Sequence, residues 1–161
     1  MELSVQAYGH GPFDDLLYAA QADVPMSEFW NEGGGASPIP CCKAMAAAAH
    51  TAGKRIIAAE AFSAWPRNAK WQEHPFLLKP LGDAAFCSGV NRFMFHRYAM
   101  QPWPDRKPGM TMAYWGLHYE RTATWWEHSR PWHEYLTRCQ FVLQSGLFAA
   151  DVCYVTDEGA Y

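Results

Sequence analysis

The sequence lacks several features that would assign it to common protein classes. Its 13 lysine and arginine residues are outnumbered by 16 aspartate and glutamate residues, and the net charge is −3. This balance excludes the strongly basic surface that follows a nucleic-acid backbone, so no nucleic-acid partner is expected. No apolar run approaches the roughly 18 residues that would predict a membrane span. The opening MELSVQAYGHG has neither a positively charged start nor a long apolar core, so no signal peptide is visible.

The cysteines follow no recognisable pattern. The five cysteines are Cys41, Cys42, Cys87, Cys139 and Cys153. Their number is odd and they form no CxxC pair, which argues against a zinc site and against a disulfide framework. We therefore predict buried free thiols.

Aromatic residues, in contrast, are abundant. They make up 16% of the 161 residues and include eight tryptophans, and half of all residues are hydrophobic. This composition is sufficient for one domain with a real core. Most tryptophans nevertheless lie in polar stretches with proline or glycine, namely FWNEGGG, SAWPRNAKWQ, QPWPDRKPGM and AYWGLHYERTATWWEHSRPW. Aromatic faces beside carboxylates, arginine and histidine are typical of a sugar-binding cleft, while core packing is the alternative for any single tryptophan.

Hydrophobic patterns predict alternating strands and helices. Strands are predicted at residues 3–8, 24–30, 55–62, 92–100 and 151–155, and helices at 13–22, 41–51, 77–90 and 131–145. This order indicates parallel βαβ units, and the later spacings approach the ~31 residues per unit of an eight-unit barrel. In such barrels functional groups gather where the strands end. Glu28, Glu60 and His96 lie near predicted strand ends, so we expect them to converge.

Glu60 directly follows the buried-looking run RIIAA at residues 55–59. An unpaired carboxylate is costly to bury, so Glu60 either reaches solvent at the strand tip or is held there for chemistry. If the strand places the Glu60 side chain in a solvent-filled cleft at the C-terminal face of the barrel, its position is explained. A purely structural carboxylate is the alternative.

Longer motifs resemble a known family. They are ADVPMSEFW, AEAFSAWPRNAKWQEHPFLLKPLGDAAFCSGVNRFMFHRYAMQPW, PGMTMAYWGLHYERTATWW and YLTRCQFVLQSGLFAADVCYV. They are similar to segments of glycoside hydrolase family 106, the α-L-rhamnosidases, whose members are multidomain proteins several times longer. The resemblance implies an α/β fragment with about strands five to eight of a (β/α)8 TIM barrel. Residues 1–130 would be the C-terminal half of that barrel, and residues 131–161 a connecting helix and the first strand of a flavodoxin-like domain.

The resemblance also implies an activity, an inverting cleavage of terminal α-L-rhamnosyl residues from plant polysaccharides or glycosides. Glu60, on strand seven, would be the general base that activates water, and the general acid would lie upstream of Met1. Family members use a calcium ion, and Glu28 is the candidate ligand because calcium prefers hard oxygen ligands. The expected partners are a rhamnose-containing oligosaccharide or glycoside and the remainder of the parent polypeptide. A periplasmic or secreted location is expected for the parent.

Further residues at the strand ends, and in the long loop after the fourth strand, are predicted to contact the substrate. Long irregular loops of barrels usually have a function. The predicted contacts are Trp30, Trp65, His96, Trp103, His118, Arg121 and Trp125.

Alternatives remain for individual residues. Glu28 could form a structural ion pair with Arg97 or Arg121, and His96 could be a hydrogen-bonded core residue. The motif WNE could present Glu32 as the acid, which would shift the strand numbering back by two. The similarity around DVCYV argues against that shift.

Two other functions also remain open. A catalytically dead, carbohydrate-binding relative would keep the aromatic loops and lack the acid. A β-galactosidase-like barrel hydrolase shares the junction to the next domain. PGMTMAYWG and HYERTATWW favour the rhamnosidase.

Overall fold

The computed structural model describes residues 1–9, 11–32 and 40–156. Strands and helices alternate along this part of the chain, as the hydrophobic patterns predict. The elements are β1 (Ser4–Gln6), α1 (Asp15–Gln21), β2 (Val24–Asn31), α2 (Pro40–Thr51), β3 (Ala58–Ala64), α3 (Pro75–Cys87), β4 (Arg92–Phe95), a short 3₁₀ helix (Trp126–His128) and α4 (Arg130–Gln144).

The four strands form one parallel sheet in the order β1-β2-β3-β4. Each strand is followed by a helix, so consecutive strands can run in the same direction. Because they do, the carboxyl ends of all four strands lie along one edge, called here the C-terminal edge. Glu28 of β2 lies opposite Glu60 of β3, which lies opposite Met94 of β4. The α/β class and the convergence of the two glutamates are confirmed.

Local signals set the helix starts. The side chain of Asp14 accepts a hydrogen bond from the N–H of Leu17 at 2.8 Å and caps α1. Pro75 and Pro131 lie in the first turns of α3 and α4, where a missing N–H costs no helical hydrogen bond.

The core lies on the helix side of the sheet. Side chains of a strand alternate between its two faces, and Phe29, Ala59 and Ala61 belong to the buried cluster that includes residues of α2 and α3. Glu28 and Glu60 occupy the alternate positions and so point to the opposite face. The alanine-rich stripe of α2 allows that helix to approach the sheet closely.

Gly82, inside α3, makes room for two rings. A Cβ at this position would lie 3.1 Å from Cζ of Phe62 and 3.5 Å from Cε2 of Phe93. Glycine costs about 0.5–1 kcal/mol relative to alanine in a helix. The close approach of the two phenylalanine rings explains why this weak point of the helix is tolerated.

Three details of the sequence-based prediction are wrong. Residues 151–155 form no strand and are exposed, because they have no neighbouring strand among the described residues. β4 ends at Phe95, since the chain then leaves the sheet and the N–H of Arg97 donates to the carbonyl of Leu117 at 2.8 Å. All five cysteines are free, but Cys87 and Cys153 are exposed rather than buried.

No described helix has the length and apolarity needed to cross a bilayer.

Two strands of the sheet have an open side. Within the described residues, β1 and β4 each pair with one neighbour only, and large apolar side chains such as Met94 and Phe141 are exposed. Open strand edges recruit further strands.

We expect the 161-residue chain to associate at micromolar concentration, as measured by light scattering after size exclusion. Met94→Lys, which charges the β4 edge, should weaken association more than Phe141→Lys on α4. A monomer at all concentrations would contradict this.

Candidate active site

Two carboxylates lie side by side at the C-terminal edge. Glu28 and Glu60 are register partners on adjacent strands, and both are half-buried. Neighbouring strands lie about 4.7–4.9 Å apart, so the two side chains share one environment. We call Glu28 and Glu60 the carboxylate pair.

Glu60 is held by neutral donors at both oxygens. Nε2 of Gln6 donates to Oε2 at 3.2 Å, and the hydroxyl of Ser63 donates to Oε1. Nδ1 of His96 lies 3.9 Å from Oε1, too far for a hydrogen bond, and among the described residues no lysine or arginine pairs with Glu60. The side chain of Glu60 is 24% exposed and that of His96 is 26% exposed. The carboxylate is therefore oriented and accessible without being neutralised, which suits a group that accepts a proton.

Tyr8 lies close to Glu28. Burial, and then the interaction with the Glu28 carboxylate, raises the pKa of Tyr8 and keeps its phenol protonated. The two arginines considered as ion-pair partners bind elsewhere. Nη2 of Arg97 donates to the carbonyl of Trp115 at 3.3 Å, and Nε of Arg121 donates to Oε1 of Gln101 at 2.6 Å.

A metal site is not complete within the described residues. Among them, no three histidine, cysteine, aspartate or glutamate side chains lie close enough to hold an ion together. Glu28 could supply one oxygen ligand of the six to eight that calcium takes. Backbone carbonyls, amide side chains and water are further oxygen ligands that calcium accepts.

A β-bulge separates the carboxylate pair from the residues that follow it. Glu28 pairs with Glu60, but Trp30 pairs with Ser63, so β3 has one residue more than β2 over this interval. Phe62 lies in the bulge with φ of 60°. A bulky residue in the left-handed region costs of order 1–3 kcal/mol. The strained residue lies two positions after Glu60, and bulges are common next to active sites.

Three indole rings line the edge beside the carboxylate pair. The ring centroids of Trp30 and Trp65 lie 5.2 Å apart, and those of Trp65 and Trp115 lie 5.1 Å apart. Trp65 is 42% exposed and Trp115 is 38% exposed. We call Trp30, Trp65 and Trp115 the tryptophan wall. Such a surface can stack a sugar ring or a flat aglycone.

Gly116 attaches the third indole to the sheet. Its N–H donates to the carbonyl of Ala64 at 2.9 Å. Its φ is 75°, and a Cβ there would lie 2.5 Å from Nδ1 of His96. Only glycine therefore brings the loop this close to His96.

The remaining predicted contacts lie elsewhere in the loop after β4. Trp103 is exposed, with the guanidinium of Arg106 5.8 Å from its ring. His118 is buried, stacks on Trp71 at 3.6 Å and has Nε2 2.9 Å from the carbonyl of Ala113; burial lowers its pKa.

Arg121 and Trp125 also have partners within the protein. Arg121 binds Gln101, and Nε1 of Trp125 donates to the carbonyl of Glu73 at 2.7 Å. The structure thus brings His96 to Glu60 and pairs Trp30 with Trp65 just beyond the carboxylate pair, while Trp103, His118, Arg121 and Trp125 are engaged in other contacts.

Glu120 organises this loop. It is fully buried and accepts hydrogen bonds from the N–H of Thr122 at 2.7 Å, Nε2 of Gln101 at 2.8 Å and Nε1 of Trp71 at 3.3 Å. Burial acts to raise its pKa, but these bonds and that of the Thr122 hydroxyl outweigh it, so the pKa is lowered. The carboxylate is a structural anchor.

Sequence analysis missed four residues at the site, namely Gln6, Tyr8, Ser63 and Trp115. Gln6 and Tyr8 lie in or after a predicted strand, where a polar side chain at a strand end was a usable signal. Trp115 lies in a motif already noted for its aromatic residues. No sequence signal marks Ser63, because its orientation depends on the bulge.

Comparisons with known proteins identify the family. A sequence profile of family 106 of the glycoside hydrolases, described as alpha-L-rhamnosidase, matches residues 4–161. The chain belongs to glycoside hydrolase family 106. A protein of Formosa agariphila named "Putative beta-glucuronidase" is 39% identical over 99% of this family 106 chain and 13% of its own length.

A solved rhamnosidase contains a region with the same fold. The rhamnosidase from Novosphingobium sp. PP1Y superposes with a TM-score of 0.81 at 32% identity, over 91% of this chain and 14% of that chain. This family 106 chain therefore spans about one-seventh of the length of the two relatives.

A second buried carboxyl group of this family 106 chain, that of Glu73, lies beside Asn31 at the end of β2. Oε1 of Glu73 accepts a hydrogen bond from Nδ2 of Asn31 at 2.7 Å, and Oε2 has no hydrogen-bond partner in the described structure. Burial, only partly offset by Asn31, raises the pKa of Glu73 to about 7.

Glu73 should make stability pH-dependent. Its folded pKa lies above the ordinary value of 4.5, so the folded state binds the proton more tightly, and stability falls as pH rises through this interval. A shift of this size corresponds to about 3 kcal/mol. Glu73→Gln removes the charge, so its melting temperature relative to the wild type should rise between pH 5 and pH 7.5. Glu134→Gln, at a glutamate of α4 whose side chain is 45% exposed, should show no such trend. A parallel pH dependence of Glu73→Gln and wild type would contradict the assignment.

Proposed function

We propose that this chain is the second half of the catalytic barrel of a glycoside hydrolase that removes terminal α-L-rhamnosyl residues with inversion. The supporting observation is the carboxylate of Glu60, oriented at both oxygens by neutral donors beside the tryptophan wall. β1 to β4 would be strands five to eight of a (β/α)8 barrel. The open side of β1 is then where strand four would pair.

In this proposal Glu60 is the general base. It accepts a proton from the water that attacks the anomeric carbon, while a carboxylic acid from strand four protonates the departing oxygen. Inversion requires the two carboxyl groups to lie roughly 6.5–9.5 Å apart, which leaves room for the water. Gln6 on β1 and Ser63 on β3 hold the base, and the tryptophan wall stacks the sugar or its leaving group.

The electrostatics of the site favour a neutral sugar. Rhamnose is uncharged and has a methyl group at C6, which suits indole rings beside two carboxylates. A glucuronate, the sugar named for the Formosa relative, would bring a third carboxylate to Glu28 and Glu60. Neither glutamate has a lysine or arginine partner in the described structure, so binding of a glucuronate would depend on a cation such as the calcium ion proposed below, whereas a neutral sugar needs no such compensation. The alternatives are a catalytically dead relative and a β-galactosidase-like hydrolase. The experiments below distinguish both from a rhamnosidase.

The proposal extends to calcium and to the parent protein. Glu28 would contribute one carboxylate oxygen to a calcium ion, which would bind hydroxyl groups of the sugar. The substrate would be a rhamnose-containing oligosaccharide or glycoside, and the parent polypeptide would act in the periplasm or outside the cell. Residues 131–161 would connect the barrel to the next domain.

Glu60→Gln tests the base. In the full-length polypeptide, glutamine keeps the size of Glu60 but cannot take the proton. We expect kcat on p-nitrophenyl α-L-rhamnoside to fall by about 10²–10⁴ with little change in substrate binding. Azide should replace the activated water and yield the β-configured rhamnosyl azide. Activity on p-nitrophenyl β-D-glucuronide should be absent.

Glu134→Gln is the matched control, because Glu134 lies on α4 and pairs with Arg130. It should keep kcat. Near-normal kcat in Glu60→Gln, or an α-configured azide product, would remove Glu60 as an inverting base. Hydrolysis of the glucuronide instead of the rhamnoside would refute the sugar assignment.

Glu28→Gln tests the calcium ligand. Loss of the negative charge should weaken calcium binding, measured by titration calorimetry on the full-length polypeptide, and raise KM for the rhamnoside. Glu134→Gln again serves as control. Unchanged calcium affinity in Glu28→Gln would exclude Glu28 from the site.

A further inference from the structure

We propose that Ser63 is a positioning residue that fixes the carboxylate of Glu60 for proton transfer, and that the β-bulge at Ala61 and Phe62 brings its hydroxyl there. This role depends on the proposed function of Glu60 as general base. It adds a residue that acts through Glu60 and does not itself touch the substrate.

The bulge decides which face Ser63 occupies. In a regular strand, residues 60 and 62 share one face and residue 63 points to the other. In β3, Phe29 of β2 lies opposite the two residues Ala61 and Phe62, and pairing resumes at Trp30 and Ser63. The extra residue reverses the alternation, so the hydroxyl of Ser63 donates to Oε1 of Glu60.

The ring of Phe62 holds the bulge in place. It is fully buried on the helix side, with ring centroids 4.9 Å from Phe29 and 5.5 Å from Phe93. Gly82 of α3 gives it room, since a Cβ there would approach Cζ of Phe62 to 3.1 Å. Without the bulge this ring would face the carboxylate pair and Ser63 would face the core. Core packing of Phe62 thus stabilises the strained backbone that places the Ser63 hydroxyl against Glu60.

The chemistry of the contact suits a base. Ser63 is fully buried, and its hydroxyl donates to Glu60, while Gln6 binds the other oxygen. Hydroxyl and amide donors restrict the orientation of a carboxylate without adding the charge that a lysine or arginine would bring. The free lone pairs of Glu60 can then point to the water, and a misplacement of about 1 Å can cost about 10²-fold in rate.

Ser27 offers a matched control. It is also fully buried, on the adjacent strand β2, but its hydroxyl donates to Sγ of Cys42 at 3.1 Å and contacts neither glutamate. Removal of either hydroxyl deletes one buried oxygen from the sheet. Only removal of the Ser63 hydroxyl deletes a partner of Glu60.

The test is a double-mutant cycle in the full-length polypeptide, with kcat measured on p-nitrophenyl α-L-rhamnoside. Ser63→Ala should lower kcat by about 10- to 100-fold in the wild-type background. In the Glu60→Gln background Ser63→Ala should lower kcat by no more than about twofold, which is the usual deviation from additivity between independent mutations. Ser27→Ala should leave kcat unchanged in both backgrounds. Melting temperatures confirm that each variant is folded, and Ser63→Cys replaces Ser63→Ala if the latter does not fold.

The outcomes separate the two proposals. An equal loss of kcat in both backgrounds would mean that Ser63 acts on the fold and not through Glu60. Full activity of Ser63→Ala would mean that Ser63 has no role in catalysis. Either result overturns the positioning role of Ser63 and leaves the proposed role of Glu60 as general base intact. Full activity of Glu60→Gln overturns the proposed function, and the positioning role falls with it.

Discussion

The ring of Phe62 is buried between β2, β4 and α3, and its backbone adopts a left-handed conformation to stay there. This packing constrains the geometry of the site. It fixes the bulge in β3, the bulge turns Ser63 toward Glu60, and the same shift sets the register of Trp30 against Ser63. Gly82 completes the arrangement from the helix layer. The strain is small beside the apolar area that the aromatic cluster removes from water.

Two adjacent carboxylates are tolerated because both are only partly buried. Neutral donors from Gln6 and Ser63 bind Glu60, and the protonated phenol of Tyr8 lies close to Glu28, so neither glutamate needs a salt bridge to lysine or arginine. The C-terminal edge keeps both side chains in contact with water.

Glu120 and Glu73 show how differently the same side chain behaves in other surroundings. Several donors surround Glu120, which stays ionised and ties the loop together. Glu73 has one donor, and burial raises its pKa. The loop motif noted in the sequence therefore combines two functions. Trp115 joins the wall at the site, whereas His118, Arg121 and Trp125 bind other parts of the protein.

The sequence by itself determined the alternation of strands and helices, the parallel sheet and the placement of Glu28 and Glu60 at strand ends, because these follow from hydrophobic periodicity and from the two-residue repeat of a strand. Its long motifs also determined the family. Only the tertiary structure decided the bulge, the face of Ser63, the meeting of Trp65 with Trp115 and the absence of a strand at residues 151–155. Each of these depends on contacts between distant segments, and a shift of one residue in register changes the face of every side chain that follows.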